Sequence, residues 1–310
     1  MFESLVYVAG GVLFLSLPLV PAWRELRHPT DATPLAVNQG NAADAKDAMR
    51  DALARLAAAR LAGVAPAAMV ANQLGQSAVA VVDAGRLNQQ HDEQGKCVLV
   101  TGDGTLDDVF LRVPALWAST LTLSESAVFA GKLAAETEAC VAPGAKFRVL
   151  QAPRIITGVG AEPAPTLRMT ADAVPTGAEW LPLQQRFHAK SDFVVRAGTR
   201  AAGLIVAIGH GLVEAGATVD GAIKVGGTLL IEAGALVTGD IVADSVMIED
   251  NCVITGSILA NHHVRIGLNC HIGAPGGPAT VAATNVLLSP NVTLHGAVLA
   301  HHQAEVIHAQ

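Results

Sequence analysis

Aromatic residues are scarce in this chain: seven Phe, three Trp and one Tyr among 310 residues. Its core must therefore be filled by aliphatic side chains, and no ring platform stands ready for sugars or bases. Charge is thin as well. Charged residues make up 15% and the net charge is −7, which excludes nucleic acid as the main partner. The four cysteines, Cys97, Cys140, Cys252 and Cys270, have neither a CxxC motif nor metal-ligand spacing. No Gly-rich loop runs into Lys-Ser or Lys-Thr, so a P-loop is unsupported. Gly158-Val159-Gly160 lacks the remaining glycine of a dinucleotide fingerprint. From these absences the sequence nominates no catalytic residue, no cofactor and no metal.

What is abundant is small and aliphatic, and it repeats about every eighteen residues. Aligned on Val195, Val213, Ile231, Ile248, Ile266 and Leu288, the successive steps are 18, 18, 17, 18 and 22. Six residues after each start stand Ala201, Val219, Val237, Ile254, Ile272 and Leu294. Ten after stand Ile205, Ile223, Ile241 and Ile258, then a break at Gly276, then Val298. Turn residues keep the same register. Gly198, Gly216, Gly234, Asn251, Asn269 and Asn291 form one column, and both residue types tolerate positive φ. Gly203, Gly221, Gly239, Gly256 and Gly296 form a second column of corners. Short strands, fixed corners and like-on-like columns predict the rungs of a β-solenoid, each too narrow to bury its own apolar edge. A weaker version of the pattern precedes it. Leu123, Phe129 and Leu133 keep the 0, 6, 10 spacing, Val141 and Phe147 continue it, and Val100, Leu106 and Phe110 fit the same template.

At the other end, Leu5 and Val20 bound an apolar stretch followed by Trp23, Arg24 and Arg27, with no Lys or Arg before it. An uncleaved membrane anchor is expected, with the body on the cytoplasmic side of the bacterial inner membrane. Asn41 offers an N-cap, and Met49, Leu53, Leu56 and Leu61 mark a short amphipathic helix. The expected organisation is an anchor at 1–23, a linker and helical region at 24–96, an irregular solenoid block at 97–158, a Pro-rich connection at 159–192, a regular β-helix at 193–300 and a tail at 301–310. The fold class is thus mainly β: a single-stranded β-helix with an N-terminal transmembrane helix and a short amphipathic helix.

The stretch Leu230-Ile231-Glu232-Ala233-Gly234-Ala235-Leu236-Val237-Thr238-Gly239-Asp240-Ile241, continued by Ala243-Asp244-Ser245-Val246-Met247-Ile248, resembles the repeat of bactofilins. These are polymer-forming proteins of the bacterial cytoskeleton. The resemblance covers roughly 193–300, and the flank from Trp23 to Arg27 is similar to that of the membrane-anchored members. It implies a right-handed β-helix, assembly without nucleotide through contacts between helix ends, and recruitment of envelope or polysaccharide proteins. The long region 41–185 departs from the short members of that family.

Leu288, Leu294 and Val298, in the last regular rung, are the candidates for self-association, because only a thin tail follows them and an open rung edge is a template for another chain. The competing reading is a hexapeptide-repeat acyltransferase with a left-handed β-helix. Val213, Val219, Val225, Ile231 and Val237 are six apart, and His262, His263, His271 or His295 would be its general base. The step of 17 from Ile231 to Ile248 breaks that frame. Glu214, Glu232 and Glu249 form an acidic column, read as a solvated edge before a cation site. Cys252 and Cys270, in one column of neighbouring rungs, are read as small reduced core residues before a disulfide. His301 and His302 belong to the tail.

Overall fold

The computed structural model describes residues 79–82, 97–100, 102–107, 115–158 and 171–308. The anchor and the amphipathic helix lie outside these residues. Among the described residues no helix is long and apolar enough to cross a membrane. Residues 67–310 form one unit, in which a single 23-stranded sheet is wound as a solenoid.

The regular part stacks the repeat in the register its columns predict. Phe193–Val195 lies parallel on Gly211–Val213, which lies on Thr228–Ile231, with Ile241–Ile248, Ile258–Ile266 and Ala279–Leu288 following. Alternation along each strand sends one side chain in and the next out. The columns at positions 0, 6 and 10 are therefore the core: Val195, Val213, Ile231, Ile248, Ile266 and Leu288 are buried, as are Ala201, Val219, Val237, Ile254, Ile272 and Leu294. The break at Gly276 is a local excursion between Ile272 and Ala279. A bridge between Ala274 and Gly277 closes it, and stacking resumes with a 22-residue step from His271 to Thr293.

The earlier block stacks in the same way. Val79–Val82 lies parallel on Cys97–Val100, then come Ala115–Leu123, Val128–Val141 and Lys146–Thr157. Its first strand thus lies within the region assigned to linker and helix. Strand formation also begins before residue 193 in the second block. Ala171–Asp172 pairs with Thr199–Arg200, and Arg186–Ala189 pairs with Leu204–Ala207. An antiparallel strand, Glu179–Leu181, lies along Arg186–Ala189, with the Trp180 ring 4.7 Å from that of Phe187. Much of the expected connection is therefore the closing rung of the solenoid.

The two blocks join at a seam that the repeat does not announce. The last rung of the first block, Lys146–Thr157, pairs antiparallel with the last strand of the second, Thr293–Val306. Each block ends where the other ends, so their chain directions are opposed across the seam. The core nevertheless passes through without interruption. Val98, Leu116, Leu133 and Leu150 stack in register, Leu150 faces Val298, and Val281, Ile258, Ile241, Ile223, Ile205 and Phe187 continue the column. Every residue in it is buried.

Two expectations fail here for one physical reason. The C-terminal rung is not an open edge, because Lys146–Thr157 occupies it; Leu288, Leu294 and Val298 are buried within the chain. Residues 301–306 are likewise part of a strand, not a tail. Gln303, Ala304, Glu305 and Val306 pair with Asn285, Val286, Leu287 and Leu288, and Ala304 and Val306 are buried.

Candidate functional site

The seam is held by a dense set of hydrogen bonds. Thr157 has every polar group satisfied by the second block. Its N–H donates to Val292 O at 3.0 Å, and its carbonyl accepts from Asn291 N at 2.6 Å. Its hydroxyl donates to Ser289 O at 2.6 Å and accepts from Val292 N at 2.9 Å. At the other side of the rung, Gly144 N–H donates to Val306 O at 2.6 Å and Val306 N–H donates to Ala145 O at 3.1 Å. His295 Nδ1 lies 3.0 Å from the Pro153 carbonyl, which can only accept, so the proton sits on that nitrogen. Lys146 and Glu305 form a half-exposed ion pair at 3.7 Å, a minor contribution beside the backbone pairing.

The corner columns hold the rungs in register. Gly198, Gly216, Gly234, Asn251, Asn269 and Asn291 all have φ between 56° and 72°. Gly216, Gly234 and Asn251 each donate their N–H to the carbonyl of the next rung, at 3.0, 3.0 and 2.8 Å. Asn291 continues this ladder into the first block through its bond to Thr157.

The acidic column is consumed by the backbone. Glu214, Glu232 and Glu249 accept the N–H groups of Ala197, Ala215 and Ala233 in the preceding rung, at 2.9, 3.0 and 3.2 Å. The Ala197 bond, with help from Arg196, holds the Glu214 carboxyl below its ordinary range. Asp250 plays the same part for Leu268 N–H at 2.7 Å, in the rung where Gly267 stands at the column's position. These carboxylates stitch rungs together. Cys252 and Cys270 are buried free thiols whose sulfurs reach the carbonyls of Glu232 and Glu249, at 3.2 and 3.0 Å. The adjacent Cys252 sulfur, then burial, push the Cys270 thiol up.

The four candidate histidines are not brought together into one site. His271 is half-buried, its Nε2 has no partner, and burial, then His295, lower its pKa. His295 belongs to the seam. His262 and His263 sit at a strand bulge with ring centroids 6.4 Å apart. The sequence reading missed a carboxylate beside them: Asp244 Oδ1 lies 3.6 Å from His262 Nε2 and accepts from Asn261 Nδ2 at 3.3 Å. Both partners of that pair are solvated, with side chains 63% and 39% exposed.

The Asp244 row borders a lengthwise groove of about 720 Å³. It is lined by the row of small residues Ala243, Ala260, Ala283 and Ala300, three of them buried, and by the exposed aliphatic residues Val242, Leu259 and Leu299. Its polar lining is Asp244, Asn261, Thr284 and His301. Arg148, from the first block, closes the far end, so the groove crosses the seam. Carrying the column alignment to its twelfth position finds Ala243, Ala260 and Ala300, but the insertion near Gly276 displaces Ala283, and alanine is too common in this chain to stand out. No family description, no curated protein and no solved structure matches this chain.

Proposed function

We propose that the chain is a non-catalytic scaffold of the bactofilin type. Residues 1–23 hold it at the bacterial inner membrane, its solenoid lies on the cytoplasmic side, and its flanks recruit envelope or polysaccharide proteins. It associates with copies of itself through solenoid ends. The observation that supports this reading is the seam: two solenoid ends stack by backbone pairing over an aliphatic floor, the contact by which such a scaffold would grow. The acidic column Glu214, Glu232 and Glu249 is tied to backbone N–H groups, in keeping with a structural role for those carboxylates.

A transferase reading has one observation on its side, the His262–Asp244 pair at the groove rim. The two readings separate in one set of measurements. A reporter fused after Gln310 should be active in the cytoplasm and the protein should leave the membrane fraction when residues 1–40 are deleted. Titration with acetyl-coenzyme A should give no saturable signal. A reporter active only in the periplasm overturns the placement, and saturable binding lost in His262→Ala overturns the scaffold in favour of the transferase.

A further inference from the structure

The seam joins residues far apart in sequence, and the chain takes an unusual route between them. Asp172 is stacked on Arg200, which is followed in register by Thr218, Leu236, Val253, His271, Thr293 and finally Ile156 across the seam. Ile156 and Asp172, sixteen residues apart in sequence, therefore lie seven stacking steps apart. At the spacing of neighbouring strands that is roughly 34 Å. The connection leaves from the seam and re-enters at the opposite end of the second block. Nothing in the seam depends on chain continuity, because its bonds are inter-rung backbone pairs with the side-chain contacts of Thr157, His295 and Lys146, and a rung from any copy presents the same groups.

We infer that the seam is an exchangeable contact, made within one chain or between two. In the exchanged form the Lys146–Thr157 rung of one copy seats on the Thr293–Val306 rung of a second copy, and the reciprocal contact closes a dimer. The partner is thus another copy of this chain, and the surface is the seam. The inference builds on the scaffold reading and names its mode of association: copies trade first blocks, because the C-terminal rung has no free edge to offer. Geometry favours two second blocks lying side by side in opposite directions, which sets the C-terminal end of one beside the residue-171 end of the other and shortens the span each connection must cover. Within one chain the connection keeps the two rungs at an effective concentration on the order of millimolar, so the closed monomer predominates when copies are dilute.

The length of the connection decides between the forms. Sixteen residues reach about 58 Å when fully extended, ample for closure within a chain, whereas eight reach about 29 Å and fall short. Deleting residues 160–167 from the full chain should therefore convert monomer to dimer or longer species by light scattering, with an unchanged far-ultraviolet spectrum. Gln151 and Ala297 face each other across the seam and provide a second measurement that does not depend on that deletion folding. Full-length chains carrying Gln151→Cys and Ala297→Cys under different tags are co-expressed and oxidised. The expected product is a disulfide-linked heterodimer several-fold above either variant alone, and the double variant in one chain should bridge internally. If the co-expressed pair gives no more heterodimer than the single variants, or if the folded deletion stays monomeric, the inference falls. Either result leaves reporter topology and membrane fractionation unaffected, so the scaffold reading stands or fails on its own measurements.

Discussion

Two glycine columns run along this solenoid for different reasons, and the difference is measurable at single residues. At Gly234, φ is 72° and an added Cβ would meet nothing within 4 Å. Only the left-handed conformation is demanded, and Asn251, Asn269 and Asn291 meet that demand in the same column. At Gly239 an added Cβ would lie 2.5 Å from Ala222 N and from the Gly221 backbone, so space is the limit. Gly234→Asn should leave the melting temperature nearly unchanged, while Gly234→Val should cost about 1–2 kcal/mol. Gly239→Asn should be the worst of the three, at about 1–3 kcal/mol or more, since the neighbouring rung must move. Equal losses for Gly234→Asn and Gly239→Asn in thermal denaturation would show that the two columns do not differ. His271 gives a pH signature. Its pKa is lowered in the folded protein, so below the ordinary histidine value of about 6.5 the unfolded chain binds the extra proton and stability falls as pH drops; above it the contribution is constant. The melting temperature of the wild type should decline on acidification through that window more steeply than that of His271→Gln. Parallel profiles would remove His271 as the cause.

Among the elements, the strands of the regular block were legible because each repeats its neighbour. Ile231 predicts Ile248, and Gly216 predicts Gly234. The pairing of the seam strands was not, because Lys146–Thr157 and Thr293–Val306 run antiparallel, and a parallel repeat carries no signal for an antiparallel partner. The residue that marks the seam is Thr157, a buried hydroxyl at the end of a first-block strand, and a polar residue there looks in sequence like an ordinary strand end. The Asp244–His262 pair was hidden differently: the two residues are neighbours only through stacking, and the corner columns stop short of them. Thr157→Val keeps the shape and deletes both hydroxyl bonds, leaving Ser289 O and Val292 N short of a partner. It should cost about 1–3 kcal/mol. A loss confined to a few tenths in denaturant titration would mean that the backbone bonds alone hold the seam.

For the whole molecule, the unbroken core column implies that the two blocks unfold together despite their opposed chain directions. Calorimetry should show one transition for residues 79–308. Leu294→Lys would place an unpaired charge in the buried floor of the seam, at a cost of several kcal/mol, and should divide the melt into two. Two transitions already present in the wild type would mean that the blocks are energetically independent. The order in which the molecule is made adds a further demand. The first block is complete once Thr157 has been synthesised, yet Val292, its bonding partner, comes 135 residues later. At about 5–20 residues per second that interval is on the order of ten seconds. During it the nascent rung Lys146–Thr157 displays a row of unsatisfied backbone groups above aliphatic side chains. On a polysome, the nearest strand able to satisfy it belongs to a neighbouring ribosome's product. If the seam exchanges between copies, translation speed and ribosome spacing bear on how many chains close on themselves.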